Sequence, residues 1–268
     1  MIRQPAVAGR FYASDPKELA ASVDGFIDPA TTRIHALGAV IPHAGYMYSG
    51  HVAGAVYSRL ELPKRAIILC PNHTGYGPPL SIMRSGAWQT PLGQAVIDEE
   101  LCDALMRSTG LLRDDVTAHK YEHALEVQLP FLQQIVGSDF RFVPITVGTA
   151  EWFHLESLGK AMATIARTVD PAVMIIASSD MNHYESDGIT RVKDRKAIDK
   201  VLALDARGLY DVVRSERISM CGYGPTTSML VAAVQLGASK AELVKYATSG
   251  DVSGDFDRVV GYAGIVVM

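Results

Sequence analysis

Apolar and polar residues form alternating blocks along this 268-residue chain. Short apolar runs that are rich in Val and Ile, and bounded by Gly, Pro, Asn or Asp, predict β-strands. These runs are residues 37–42, 65–70, 140–147, 172–179, 241–248 and 259–267. Between them lie longer stretches whose pattern predicts helices, at residues 97–108, 121–136, 151–169, 191–204 and 224–237.

The alternation of strands and helices indicates the class of fold. Strands that are apolar almost throughout are typical of a sheet covered by helices on both faces. Residues 81–96 differ, because Gly86 and the turn Pro91-Leu92-Gly93 indicate an antiparallel excursion. The sequence shows no Pro/Ser-rich linker and no repeat. We therefore expect one α/β domain over residues 1–268, with a mixed central β-sheet flanked by helices on both faces.

Composition and charge exclude several classes of function. Hydrophobic residues make up 48% of the chain and the net charge is −4, with a mean hydropathy of +0.12. This balance gives no electrostatic footprint for nucleic acid or anionic lipid. No apolar run approaches the roughly 20 residues of a membrane-spanning helix, and the amino terminus lacks the apolar run of a signal peptide. We expect a cytoplasmic protein that binds neither nucleic acid nor membrane.

Histidines follow three of the predicted strands. His43 lies in "PHAGY" after the first strand, His73 in "PNHTG" after the second, and His183 in "SDMNHY" after the strand at 172–179. In open α/β sheets, ligands collect outside the carboxyl ends of the strands. The three positions therefore indicate one functional site at that edge of the sheet.

Cys221 is the cysteine whose context points to chemistry. Three widely spaced cysteines favour reduced thiols over a disulfide scaffold. Cys70 and Cys102 occupy an apolar run and an amphipathic stretch, where cysteine is ordinarily a packing residue. Cys221 directly precedes Gly222 and a predicted helix, and a helix amino terminus can lower the pKa of a thiol. A thiolate with two imidazoles suits iron, zinc or copper.

A second polar cluster, "HKYEHALE", begins the predicted helix at 121–136. Glu122 and Glu126 are four residues apart, as are His119 and His123, so each pair can share a helix face. Acidic residues in a first turn complement the helix dipole. The alternative interpretation is that Glu122 or His123 faces a metal site or a substrate.

Several motifs together resemble the Memo family, whose prokaryotic members are often called AmmeMemoRadiSam system protein B. The resemblance covers nearly the whole chain. Its motifs here are "RQPAVAGRFY", "PHAGYMYSG", "PNHTG", "GAWQTPLG", "EHALEVQLPFL", "SSDMNHY", "CGYGP" and "VVGYAGIVV". The family is similar in fold to the class III extradiol dioxygenases of the LigB type, which bind Fe(II) through two histidines and a glutamate.

The resemblance also implies roles for individual residues. His43 and His73 match the two metal histidines, and His183 matches the histidine that acts in acid/base chemistry. Memo proteins offer a cysteine at the third ligand position, so Cys221 replaces the carboxylate. This replacement argues against extradiol ring cleavage, since a thiolate donates more charge than a carboxylate and is itself oxidisable.

We expect a non-heme metalloprotein with dioxygenase-like redox chemistry on a small organic substrate. Fe(II) is the expected ion, held by His43, His73 and Cys221, with copper or zinc as alternatives. His183 transfers protons and Asp180 orients an imidazole. The remaining predicted residues contact substrate. They are Glu122, His123, Tyr46 and Trp88.

Two other functions remain open at the level of sequence. One is a metal-free hydrolase in which Cys221 attacks and His183, oriented by Asp180, is the base. The other, which the resemblance to Memo proteins implies, is a non-catalytic module that binds a peptide or phosphopeptide through aromatic anchors in the same cleft. These anchors are Tyr46, Tyr48, Trp88 and Tyr184.

Overall fold

The structure is a computed structural model that describes residues 1–168 and 173–268. Its strands within these residues are β1 (Ile2–Arg3), β2 (Gly38–Ile41), β3 (Arg65–Pro71), β4 (Leu80–Ile82), β5 (Ala87–Thr90), β6 (Gly93–Ile97), β7 (Arg113–Asp114), β8 (Arg141–Val147), β9 (Met174–Ser178), β10 (His183–Glu185), β11 (Ala241–Thr248) and β12 (Val259–Val267). Its helices there are α1 (Pro16–Phe26), α2 (Tyr46–Arg59), α3 (Glu99–Thr109), α4 (Thr117–Lys120), α5 (Leu129–Val136), α6 (Trp152–Thr168), α7 (Asp187–Leu202), α8 (Ala206–Ser215), α9 (Tyr223–Leu236) and α10 (Gly250–Ser253), with a 3₁₀ turn at Glu126–Gln128.

The strands form one mixed sheet, which confirms the predicted fold class. Its main path runs β1-β5-β6-β8-β3-β9-β2-β12-β10. The central strands β6, β8, β3, β9 and β2 run parallel to one another. β12 returns antiparallel to β2, and β5 pairs antiparallel with β6. The β5–β6 hairpin is the predicted antiparallel excursion, and Gly93 at its turn has a φ of 116°, which favours glycine.

Helices cover the two faces of this sheet. Successive residues of a strand point to opposite faces. Gly38 of β2, which is paired with Val267, faces Met229 of α9. Gly264 and Val267 are both in β12 and lie three residues apart, so they point to opposite faces of the sheet. Gly264 faces Val56 of α2. α9 and α2 therefore pack on opposite faces, where the missing Cβ of each glycine lets a helix approach closely.

The most important departure from the sequence prediction lies at residues 121–136. A continuous helix was expected there. Instead, the short helix α4 ends just before this range, and residues 121–125 are irregular, followed by a 3₁₀ turn and then α5. Pro130 lies in the first turn of α5, where backbone N–H groups have no intrahelical acceptor, so the missing N–H of proline costs no hydrogen bond. The Glu122 carboxylate accepts a hydrogen bond from the N–H of Ala124 at 2.9 Å, which holds the chain in a turn. Glu122 and His123 are therefore not on a helix.

The other predicted helices are present with ends shifted by a few residues, as α3, α6, α7 and α9. Val169, predicted in a helix, and Ala172, predicted in a strand, lie outside the described residues. The sequence prediction missed α1, α2 and α8. Within the described residues, no helix combines the length and the apolar character needed to cross a bilayer.

Candidate metal centre

Three adjacent parallel strands bring the predicted residues to one edge of the sheet. β3, β9 and β2 are neighbours. His73 follows β3 by two residues, Asp180 follows β9 by two, and His43 follows β2 by two. The carboxyl ends of parallel strands meet at the same edge, so the topology brings these three loops together, as predicted.

Three imidazoles converge at this edge. His43, His73 and His123 each offer a ring nitrogen, and these three atoms all lie within 4.8 Å of one another. The rings of His73 and His123 are stacked, with centroids 4.8 Å apart, and the His43 ring lies edge-on to both. His43 is buried, whereas the side chains of His73 and His123 are 33% and 24% exposed. Solvent therefore reaches the cluster from one side.

Hydrogen bonds fix the protonated nitrogen of His43. Its Nδ1 lies 3.0 Å from the Ser178 hydroxyl. That hydroxyl already donates to the carbonyl of Ala124 and accepts from the amide of Gln128. Its remaining capacity is as an acceptor, so Nδ1 of His43 carries the hydrogen. The lone pair is therefore on Nε2. Burial, followed by the neighbouring His123 and His73, lowers the pKa of His43 and keeps it neutral.

Glu122 fixes His73 in the same tautomer. One carboxylate oxygen accepts from Nδ1 of His73 at 2.9 Å, and the other accepts from its backbone N–H at 2.6 Å. Burial lowers the pKa of His73, but the hydrogen bond and charge of Glu122 outweigh it, so the net shift is upward. A carboxylate behind a histidine leaves Nε2 free and raises its basicity. Glu122 also lies 3.5 Å from Nδ1 of His123.

Cys221 contacts His43 but is not one of the three residues whose ligand atoms converge. Its Sγ lies 3.2 Å from Nε2 of His43, and the backbone N–H of Asp180 donates to the sulfur at 3.3 Å. Burial and the Asp180 carboxylate raise the pKa of the thiol well above its usual value. The backbone N–H of Gly222, at the amino terminus of α9, lowers this pKa as expected, but burial and Asp180 outweigh its contribution. Desolvation and a nearby negative charge both oppose the thiolate.

His183 and Asp180 lie beside the cluster. Nδ1 of His183 is 2.9 Å from the carbonyl of Ser219, so Nδ1 carries the hydrogen and Nε2 is an acceptor. Asp180 accepts from the backbone N–H of His43 at 2.7 Å. It thus holds the His43 loop through the backbone and bonds to no imidazole in the structure. Burial raises the pKa of Asp180 to about 6.

Three of the predicted substrate contacts have another environment. Trp88 is fully buried in β5, where its ring packs against Arg3 and His119. Tyr46 is 6% exposed and donates its hydroxyl to the Val127 carbonyl. Glu122 is fully buried behind two histidines. Each of these three side chains is buried against other residues of the chain, and its contact with a substrate stays a prediction. His123 lies at the site, where it faces the other imidazoles.

Sequence reasoning missed the residues that hold the imidazoles. Ser178 and Gln128 orient His43 as described above, and Ser219 holds His183 through its carbonyl and its hydroxyl. Ser178 is the first residue of "SSDMNHY", so its position at a strand end was a usable signal. Gln128 and Ser219 are distant in sequence from the histidines that they orient, and no local pattern marks them.

Comparison with known proteins places the chain in a family. Residues 3–266 match the family profile described as Memo-like protein. A MEMO1 family protein of Methanopyrus kandleri is 45% identical over 279 residues, covering 99% of both chains. A MEMO1 family protein of Methanosarcina mazei is also 45% identical, over 267 residues and 99% of both chains.

A solved structure supports the fold alone. The crystal structure of an uncharacterized protein from Escherichia coli K12 superposes with a TM-score of 0.57 at 12% sequence identity. It covers 85% of this chain and 98% of that chain. The profile match and the similarity to curated relatives, both of which span almost the entire sequence, show that the chain belongs to the Memo-like protein family.

Proposed function

We propose that the protein binds one redox-capable metal ion at this site and uses it, with dioxygen as the oxidant, to oxidise a small organic molecule. The observation that carries the proposal is the approach of three imidazole nitrogens to within 4.8 Å of one another. Iron is the expected ion and copper is the redox-active alternative; zinc also accepts imidazole and thiolate ligands, but it would bind here without supporting the oxidation.

The donor set fits such an ion. His43 and His73 both keep Nε2 as a lone-pair donor, since Nδ1 of each is bonded to Ser178 or Glu122. Family resemblance supports Cys221 as the third ligand, and its sulfur lies against Nε2 of His43. His123 is a further imidazole donor in reach of the same point. Metal binding displaces the thiol proton, so affinity for the ion rises with pH.

A bound ion would supply the redox chemistry. The chain's own residues supply proton transfer and orientation. His183 accepts a proton at Nε2, because its Nδ1–H is committed to the Ser219 carbonyl. Glu122 holds His73 in place throughout. The exposed side of the cluster admits a small molecule.

Anaerobic Fe(II) titration of the purified protein tests the proposal. We expect one ion per chain for the wild type and a large loss of affinity in His43→Ala and His73→Ala. Cys221→Ser should also lose affinity, whereas Cys102→Ser should not, since Cys102 is buried against the carbonyl of Met83. Equal metal content in the wild type and in the His43 and His73 variants would reject the site.

One contact favours a metal-free alternative. The Cys221 sulfur lies 3.2 Å from Nε2 of His43, which is the distance of a thiol–imidazole pair. His43, rather than the predicted His183, would then be the base. The raised pKa of the thiol opposes this function. Alkylation by iodoacetamide distinguishes the two functions, since an activated nucleophile in metal-free protein reacts much faster than an ordinary thiol.

A further inference from the structure

The amino-terminal segment, residues 3–12, contacts two of the loops that carry the clustered histidines. We propose that this segment is part of the metal site, with Arg3, Glu126 and Phe11 as positioning residues for His123 and for the loop after His43. The proposal rests on the proposed function only for the expected effect on metal affinity. The contacts that carry it involve the segment itself and do not depend on a bound ion.

Arg3 binds the backbone that precedes His123. Its Nε donates to the carbonyl of His119 at 2.8 Å, and its Nη2 donates to the carbonyl of Glu122 at 2.7 Å. The guanidinium is buried and lies 4.0 Å from the centre of the Trp88 ring. Because the guanidinium is a rigid planar fork, two carbonyls bound to it keep a fixed separation. The residue after Glu122 is His123.

Glu126 fastens the segment on the other side of His123. Its carboxylate is fully buried and pairs with Arg3. The same carboxylate accepts from the backbone N–H of Ala6 at 2.8 Å and of Val7 at 3.1 Å, and from the hydroxyl of Tyr12 at 2.6 Å. Every one of these donors belongs to residues 3–12. A carboxylate with four donors leaves little freedom for the chain that bears it.

Phe11 bridges the two histidine loops directly. Its ring meets the His123 imidazole edge-on, with centroids 4.9 Å apart. Its carbonyl accepts from the backbone N–H of Tyr46 at 2.8 Å, at the start of α2 and three residues after His43. Gly45 also lies against this backbone, since a Cβ there would be 3.6 Å from the Phe11 carbonyl oxygen. Phe11 thus sets the distance between His123 and the His43 loop.

This arrangement predicts that the metal affinity of the three imidazoles depends on Arg3 and Phe11. Partners that orient metal ligands typically change metal affinity 10–100-fold when they are replaced. Arg3→Gln removes the charge and the fork, and Phe11→Leu removes the ring while keeping an apolar side chain. Two matched controls lie elsewhere in the fold. Arg65→Gln breaks the ion pair with Asp98 at the opposite end of β3, and Phe140→Leu removes a buried ring stacked on Phe142.

Two measurements on the full chain test the proposal. The first is Co(II) affinity and the visible absorption of the Co(II) complex, which reports ligand geometry. The second is the imidazole ¹⁵N spectrum of His123 in metal-free protein. We expect Arg3→Gln and Phe11→Leu to weaken Co(II) binding at least ~10-fold, to alter the absorption bands and to shift the His123 resonances. The two controls should lower thermal stability without changing either readout.

The proposal is overturned if folded Phe11→Leu protein keeps wild-type Co(II) binding and wild-type His123 resonances. Phe11→Leu decides the matter even if Arg3→Gln fails to fold. Failure of the wild type to bind Co(II) or Fe(II) would reject the proposed function instead. The metal-free His123 spectrum would still show whether residues 3–12 position that ring, so the two failures are distinguishable.

Discussion

Replacing Glu122 by glutamine removes one charge from the site and almost no volume. The carboxylate accepts three short hydrogen bonds, from the backbone N–H and Nδ1–H of His73 and from the N–H of Ala124. Glutamine has only one acceptor oxygen, and its NH₂ group must face at least one of these donors. A buried donor without an acceptor costs about 1–3 kcal/mol, so we expect Glu122→Gln to lower the free energy of unfolding by about that amount.

We expect Glu122→Gln to weaken metal binding by a free energy similar to its loss of stability. Without the carboxylate, His73 loses the partner that holds its hydrogen on Nδ1 and raises its basicity. Replacement of such a partner typically weakens metal binding 10–100-fold, or about 1.4–2.7 kcal/mol. Isothermal titration with Fe(II) under anaerobic conditions measures this change, and urea denaturation measures the stability. Glu242→Gln, which removes a charge from β11 and breaks an ion pair with Arg59, is the control.

The prediction is specific because stability and Fe(II) affinity should both fall in Glu122→Gln. A variant that loses stability but binds Fe(II) with wild-type affinity would show that Glu122 only packs behind His73. A variant that keeps both quantities would show that the three hydrogen bonds do not hold the imidazole. Either result would refute the assignment of the His73 tautomer.

Two further predictions concern other groups. His183→Ala should bind Fe(II) with near-normal affinity while His43→Ala loses most of it, because His183 lies beside the ligands; equal loss in anaerobic titrations would make His183 a ligand. Burial raises the pKa of Asp194 to about 7, although Tyr246 donates to its carboxylate at 2.7 Å. Its contribution to stability is therefore fully present below about pH 4, the pKa in the unfolded chain, and is lost as the pH rises through 7. In urea denaturation from pH 4 to 8, Asp194→Asn should flatten this decline, and an unchanged pH profile would contradict the assignment.

The sequence predicted the part of the site that depends on local pattern. A strand that ends at a proline or asparagine and is followed by a histidine is visible in one sequence. The parallel order of β3, β9 and β2 then brings His43, His73 and Asp180 to one edge. The mixed sheet was predictable for the same reason, since the β5–β6 hairpin has its own turn signal.

Long-range contacts account for what the sequence did not reveal. The irregular stretch that presents His123 is held by Arg3, more than 115 residues away in sequence. No periodicity in "HKYEHALEVQLPFL" reports such a partner, so a continuous helix was the natural prediction. The net upward shift of the Cys221 pKa could not be predicted for a similar reason. Its burial and its proximity to Asp180 arise from packing of β9 against the start of α9, which a local helix signal does not show.

X-ray absorption of the Fe(II)-loaded protein tests the central claim most directly, because it counts the nitrogen and sulfur neighbours of the ion. We expect scattering from at least two imidazoles together with one sulfur at about 2.3 Å, and the sulfur contribution should vanish in Cys221→Ser. A shell made only of oxygen ligands, or an imidazole signal that is undiminished in the His43→Ala/His73→Ala double variant, would contradict a metal centre at this edge of the sheet.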